Sequence, residues 1–466
     1  MPGQPAAAPA PPSRSTAGPP GPVAADAAPS ALEQAAFGTG SIATGIFVTV
    51  PGLLLLYYLT DTLGVAAGLA GVVVVVPRLL DIVTNPLVGR LSDRTRSRWG
   101  PRRPWMAVGG LLFPAAFTLL FWAPVTGDAA ALWVGVTFAL AGFCFAAYIV
   151  PWSSLPAETG GTSRVRTAMT SWRTAFVAVG ILLSGGLAPV LVEAFGDGVG
   201  GYRAMAVCMT ALMTVAVAVS VCFGARRSTA DSEVVGSAGR RELVALLRSS
   251  RPLRTTLLLI MVCETAAAVG LTAAPYIADH VVGSEAAVAV LFVSLVTPLM
   301  ATMPWWTRRA ARKGKAAALR LAGAAFAVGG LGLVPLYFVP EGVRLPVAVA
   351  AMVVMGVGFA GTSMLPQAML ADAVAHESAR SGLRQAGVVT GTANAAETMA
   401  SSLAAGVYAA LLGLSGFVPS DSEDEVVAQP DAALFTIVGA VGAMAAVAVL
   451  LLWITLRRYE HEEPPR

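Results

Sequence analysis

Charge is what this sequence has least of. Of its 466 residues 12% are Asp, Glu, Lys or Arg and 56% are apolar, whereas an ordinary globular domain carries roughly 25% charged residues. A single apolar core stops growing near ~250–300 residues, so an excess of this size, with a mean hydropathy of +0.71, needs lipid as its solvent. Cysteine is scarce too. Cys144, Cys208, Cys222 and Cys263 lie in separate apolar runs without metal-ligand spacing, which excludes a disulfide scaffold and reads them as small core residues. There is no Gly-x-x-x-x-Gly-Lys-Ser/Thr phosphate loop and no His-Glu-x-x-His pair. ATP-driven transport and enzyme chemistry are therefore not expected, and no cofactor or metal is implied. A basic segment leading into an apolar one is missing from the N-terminus, so no cleaved signal peptide is expected.

What is present is periodic on a large scale. Residues 1–36 are rich in Ala and Pro, a composition that cannot offset ordering entropy, and are expected to form a disordered tail. From Phe37 onward, apolar stretches of about 20 residues recur, the length a helix needs to cross ~30 Å of hydrocarbon. Twelve are read. The first half has 37–60, 64–92, 105–125, 129–156, 167–193 and 202–224; the second has 255–281, 285–306, 320–340, 345–372, 386–414 and 434–456. Helices are required because an open sheet would leave backbone groups unpaired in lipid. Residues 37–224 and 255–456 thus form two six-helix halves, joined by a basic linker at 225–254 and followed by a tail at 457–466.

Basic residues gather in alternate loops: Arg94, Arg96, Arg98, Arg102 and Arg103 after the second span, the linker arginines after the sixth, and Arg308, Arg309, Arg312, Lys313 and Lys315 after the eighth. Lys and Arg mark the cytoplasmic side, which places both termini in the cytoplasm and the chain in the cytoplasmic membrane of a bacterium. The net charge of +4 is then a topological signal; spread over separate loops, it offers no face to a nucleic acid. Trp305 and Trp306, beside Arg308, read as interface anchors. The halves also repeat each other. Pro86 pairs with Pro298, Pro151 with Pro366 and Arg166 with Arg384, at offsets of 212, 215 and 218 residues. Two like-oriented six-helix units are the parallel repeat of a major-facilitator transporter. The expected fold is an all-α membrane protein of twelve transmembrane helices. Its expected partners are the lipid bilayer and a small-molecule solute, and the single chain, holding both halves, is expected to work as a monomer.

The second span holds the chemistry. Arg78, Asp81, Thr84 and Asn85 stand at i, i+3, i+6 and i+7, on or near one helical face. A charge at that depth costs roughly 2.5–3.5 kcal/mol on insertion scales, so such residues face a water-filled cavity and tend to be functional. Asp81 is the leading cation-coupling candidate, with Thr84, Asn85 and Arg78 around it; a structural Arg78–Asp81 ion pair is the alternative. Gly89, Asp93, Arg94 and Arg103, in the Gly-x-x-x-Asp-Arg run that follows, suit a cytoplasmic latch. Glu264 and Glu397 fall roughly 13–17 Å into their spans at 1.5 Å per residue, near the midplane; they either make the cavity anionic, which favours a cationic or amine-bearing solute, or are protonated and hydrogen-bonded between helices.

Arg-x-x-Asp-x-x-x-Asn-Pro-x-x-Gly followed by Ser-Asp-Arg-Thr-Arg-Ser-Arg-Trp-Gly, with Pro-Trp-Ser-Ser-Leu-Pro-Ala-Glu-Thr at the end of the fourth span and Arg173 in the fifth, resembles the glycoside-pentoside-hexuronide:cation symporter family. The resemblance implies transport of a sugar or glycoside coupled to Na⁺, Li⁺ or H⁺. It places the first acid of the cation site at Asp81 and the second at Asn85, and keeps Trp152 and Arg173 as sugar-contacting groups. Acids expected on the first and fourth spans are Gly40 and Tyr148, and a lysine expected on the eleventh is absent around Ser401 and Ser402. H⁺ is the preferred coupling ion, with Na⁺ and an uncoupled cycle as the alternatives. The changed sugar site, together with Glu264 and Glu397, leaves a second reading: a proton-antiport exporter of a natural product or drug.

Overall fold

The computed structural model describes residues 29–158, 162–196, 198–224, 250–283, 286–381, 386–416 and 430–460. Residues 1–28 of the leading tail, 225–249 of the linker, Arg384 and 461–466 of the closing tail lie outside these. Among the described residues, twelve helices are long and apolar enough to span a bilayer. They are α1 Ala31–Tyr57, α2 Ala67–Arg94, α3 Arg103–Leu120, α4 Asp128–Glu158, α5 Ser163–Ala194 and α6 Gly198–Val219, then α7 Arg251–Tyr276, α8 Ala286–Lys313, α9 Lys315–Leu331, α10 Glu341–Ser381, α11 Ala386–Leu414 and α12 Asp431–Glu460.

The ends differ from expectation where polar residues continue a helix. α1 begins in the supposed tail because Ser30 and Glu33 form a capping box: Glu33 N donates to Ser30 Oγ at 3.2 Å and Ser30 N donates to Glu33 Oε2 at 2.8 Å. α10 and α12 likewise run past their apolar windows to Ser381 and Glu460. Hydropathy measures the thickness of the hydrocarbon, whereas i→i−4 bonding continues into the aqueous end.

In lipid the hydrophobic effect does not drive helices together, so close packing of small residues must. α1 lies on α5 where Gly45 meets Gly180; a Cβ on either would stand 3.0 Å from the other's Cα. One apolar core is drawn from α1–α6, including Ile46, Phe113, Phe117 and Met213, and another from α7–α12, including Leu291, Met355, Tyr408 and Val441. α1 and α7 both pass into widened turns, Tyr58–Thr62 and Ile277–Val282, at equivalent places in the repeat. Leu111, Leu132, Val215, Val328 and Leu450 point outward to the lipid. Cys208 and Cys222 are also exposed, against the core reading, because lipid accepts a thiol as readily as a core does. Trp306 is buried and donates to Val357 O at 2.9 Å, so of the two tryptophans read as anchors it is Trp305 that lies exposed.

The ends of α2, α4, α8 and α10 and the starts of α3, α5, α9 and α11 lie together; this is the basic end of the bundle. The halves meet there through α2 on α11 and through α5 on α8 and α10. Ala178 of α5 packs into a second-half cluster around Leu299, Met303 and Trp306.

Candidate functional site

The polar face of α2 is divided among its neighbours. Asp81 is half-buried against α4, where Gly142 leaves room: a Cβ there would stand 3.1 Å from Asp81 Oδ1. Arg78 reaches toward α1, its Nη2 3.6 Å from the place of a Cβ on Gly52. Asn85 is buried where α2 crosses α11, and Thr84 Oγ1 is buried with no hydrogen-bond partner among the described residues. Arg78 and Asp81 act electrostatically on each other, yet among the described residues no ion pair within 4.0 Å joins them. The structural ion pair that their spacing permits is not closed.

Trp152 and Tyr148 belong to the first-half core, both fully buried. Trp152 Nε1 donates to Phe37 O at 3.2 Å and to Ser220 Oγ at 3.0 Å, and its ring stacks on Phe37 at 4.7 Å. Tyr148 lies beside it, and its hydroxyl occupies the space into which a side chain at Gly40 would grow. Positions 40 and 148, where the resemblance expects acids, are therefore one steric unit. Arg173 of α5 stands over Trp152, its Cζ 5.4 Å from the ring centroid, a cation–π contact. From there Arg173 Nη1 donates to Gln367 Oε1 of α10 at 3.5 Å, and Gln367 Nε2 donates to Glu397 Oε1 of α11. Glu264 of α7 is an electrostatic neighbour of both Glu397 and Arg173. The structure thus gathers Arg173, Glu264 and Glu397 and adds Gln367, which carries no mark in the sequence. On the basic side of this group lies a small cleft of about 10 Å³, its lining including Ser153, Thr170, Arg173, Gln367 and Thr390.

At the basic end Asp93 caps α11. Gly387 N donates to its Oδ1 at 2.9 Å and Val388 N to its Oδ2 at 2.8 Å, where the helix dipole favours an anion. The approach depends on small residues: a Cβ on Gly387 would stand 2.8 Å from Gly89 O, and one on Gly391 would stand 2.9 Å from the Asn85 carbonyl carbon. Gly387-x-x-x-Gly391 is a packing motif that could have been read from the sequence. The arginine paired with Asp93 is Arg102 of the same basic loop: Arg94 is exposed and Arg103 half-buried, while Arg102 is fully enclosed. Arg102 donates to Asp93 Oδ1, to Ser92 Oγ at 2.7 Å and to both oxygens of Glu158. Burial would lower its pKa, but Glu158 and then Asp93 outweigh that and raise it, so the guanidinium stays charged.

The second half answers with Asp372 of α10, which accepts from Lys315 Nζ, from Ser163 Oγ at 2.7 Å and from Arg166 Nε. Arg102 and Lys315 are 213 residues apart and Glu158 and Asp372 214, so the two rims are repeats of one arrangement. Each is closed by a group from the opposite half, α11 at one and α5 at the other.

The family described as MFS/sugar transport protein matches residues 36–463. YagG of Escherichia coli (strain K12), a candidate glycoside/cation symporter by name, is 30% identical over 368 residues, covering 77% of this chain and 78% of YagG. The isoprimeverose transporter of Lactiplantibacillus pentosus is 22% identical over 402 residues, covering 84% and 82%. Among solved structures, the MFS proton:xylose symporter XylE bound to 6-bromo-6-deoxy-D-glucose superposes with a TM-score of 0.66 at 15% identity over 91% of this chain and 95% of that one, a likeness of fold.

Proposed function

This chain belongs to the MFS/sugar transport protein family, a family of transporters and not of enzymes, and from that premise we propose that it carries a sugar or glycoside across a bacterial cytoplasmic membrane together with a cation. The observation that carries the reading is Asp81: a carboxylate deep in an apolar span, against a glycine of α4 and without a closed ion pair. Such a group is costly to insert, and it gains a role if a cation binds and leaves it as the halves rock.

The coupling ion in this reading is H⁺, since one titratable carboxylate suffices for a proton, whereas Na⁺ wants several oxygens. The Thr84 hydroxyl and the Asn85 amide are the oxygens available for Na⁺ as the competing ion. Arg173, Trp152, Glu264, Glu397 and Gln367 are the solute-facing groups as the halves move, the guanidinium fork and the carboxylates suiting hydroxyl groups. The basic end is cytoplasmic by the distribution of Lys and Arg, and the rims of Asp93 and Asp372 then seal the cytoplasmic side in this conformer. One chain supplies both halves, so the monomer is the working unit. The exporter reading is not favoured, because the named relatives are carriers of glycosides and sugars.

Right-side-out vesicles given a panel of labelled glycosides and an inward proton gradient are expected to accumulate at least one of them. Asp81→Asn is expected to abolish that accumulation while leaving exchange intact. A variant that concentrates solute as the parent does would remove Asp81 from the mechanism, and accumulation that follows a Na⁺ gradient alone would replace the proton.

A further inference from the structure

We infer that Glu397 is a second proton-carrying site, and that in its ionised form it holds, through Gln367 and Arg173, a mid-membrane latch at the inner end of the cleft that ties the two halves together and so favours the conformer closed at the basic end. The inference rests on the reading of the chain as a cation-coupled carrier. The latch joins the halves, with Arg173 supplied by α5 and Gln367, Glu397 and Glu264 by α10, α11 and α7. It stands apart from the rim, since Glu397 lies eleven residues beyond Ala386, ~16 Å along α11 at 1.5 Å per residue.

Hydrogen-bond chemistry gives the latch its direction. An ionised carboxylate only accepts, so Glu397 takes the Gln367 Nε2–H, and the amide must then turn its Oε1 toward Arg173. A neutral Glu397 brings a donor of its own and no charge to hold the guanidinium. The Arg173–Gln367 contact, at 3.5 Å the longest in the chain of bonds and the one that crosses between the halves, is where the link parts.

Charge counting agrees. Two carboxylates share one guanidinium, an excess of one negative charge at mid-depth that a proton removes. The other groups around Glu397 do not supply the missing cation. On α2, which crosses α11, Arg78 and Asp81 act on each other; α4 offers the neutral Ser153, which faces Asn394 at 3.5 Å; and α12 has no charged residue between Asp431 and Arg457. The cleft on the basic side, with the hydroxyls of Ser153, Thr170 and Thr390 in its lining, is the way out for the proton. The proton bound to the Glu397 carboxyl leaves through it once the link has parted, and the ionised group then re-forms the latch.

The test places a thiol in the cleft. Ala371→Cys, one turn from Gln367 on the basic side, is labelled with a membrane-impermeant maleimide in vesicles whose basic end faces the bath. Labelling is read by mass on that peptide, so the native cysteines do not interfere. Each rate is divided by that of the unfolded protein at the same pH. Labelling is expected to rise as pH falls, by at most about tenfold per unit for one proton. With Glu397→Gln it is expected to be fast and independent of pH, with Gln367→Leu fast, and with Asp81→Asn still pH-dependent. An unchanged pH response in Glu397→Gln, or none in the Ala371→Cys parent, overturns the latch. No solute is needed, so failure of glycoside uptake would sink the proposed function and leave the labelling result standing by its own outcome.

Discussion

Arg102 shows what one enclosed charge does at the seam between the halves. It is completely buried and shared by Asp93, Glu158 and Ser92, so removing it leaves two carboxylates without their cation. Breaking a buried pair from one side costs about 3–5 kcal/mol. Arg102→Ala is expected to lower the thermal unfolding temperature of the detergent-solubilised protein by more than any single substitution among the exposed arginines, Arg96 or Arg98. Arg102→Lys is expected to recover only part of the loss, since an ammonium cannot reproduce the forked contacts; full recovery would mean that charge alone matters. Gly142 poses a separate residue-scale question. A methyl there would sit 3.1 Å from Asp81 Oδ1, a tight contact that displaces the carboxylate without touching its charge. Gly142→Val is therefore expected to reduce gradient-driven accumulation while the protein still folds, measured as the ratio of concentrative uptake to exchange.

At the scale of elements, the crossing of α2 and α11 is fixed by Gly89, Gly387 and Gly391, which let the backbones meet without side chains between them. Gly391→Leu is expected to hold the helices apart, so that Val388→Cys, introduced at the capped turn, reacts with an impermeant thiol reagent from the basic end several-fold faster than in the Val388→Cys parent. Unaltered labelling would mean that the crossing is not part of the seal. The same elements explain what could be read in advance. The α2 face was legible because Arg78 and Asp81 interrupt a long apolar run, and such an interruption has few physical explanations. The repeat gave the two halves through prolines at matching offsets. The choice of Arg102 over Arg94 and Arg103 was not legible. All three belong to one basic loop, and the selecting contact, the Glu158 carboxylate, lies 56 residues away at the end of another helix. Gln367 was hidden for a related reason: a lone amide in a span gives no signal until its two partners, 194 and 30 residues distant, are known. Position 148 became interpretable only when its hydroxyl was found in the space left by Gly40.

For the molecule as a whole, closure at the basic end is divided between two rims related by the repeat. One is the Asp93 carboxylate of the first half on the N-terminus of α11; the other is Asp372 of the second half receiving Ser163 and Arg166 of α5. Both favour the same conformer and share no residue. Couplings of this kind are typically about 1–3 kcal/mol, so Asp93→Asn or Asp372→Asn is expected to lower the closed-to-open ratio by about 5- to 150-fold. Sites without shared partners add to within about 0.5 kcal/mol, so the double variant is expected to show the product of the two ratios. Spin labels on the basic-end turns of α5 and α10, read by pulsed dipolar distance measurement, report that ratio directly. A double variant no more open than the worse single one would mean that the rims act in series, the second parting as soon as the first is lost, and the two halves would then turn about one hinge instead of being held at two points.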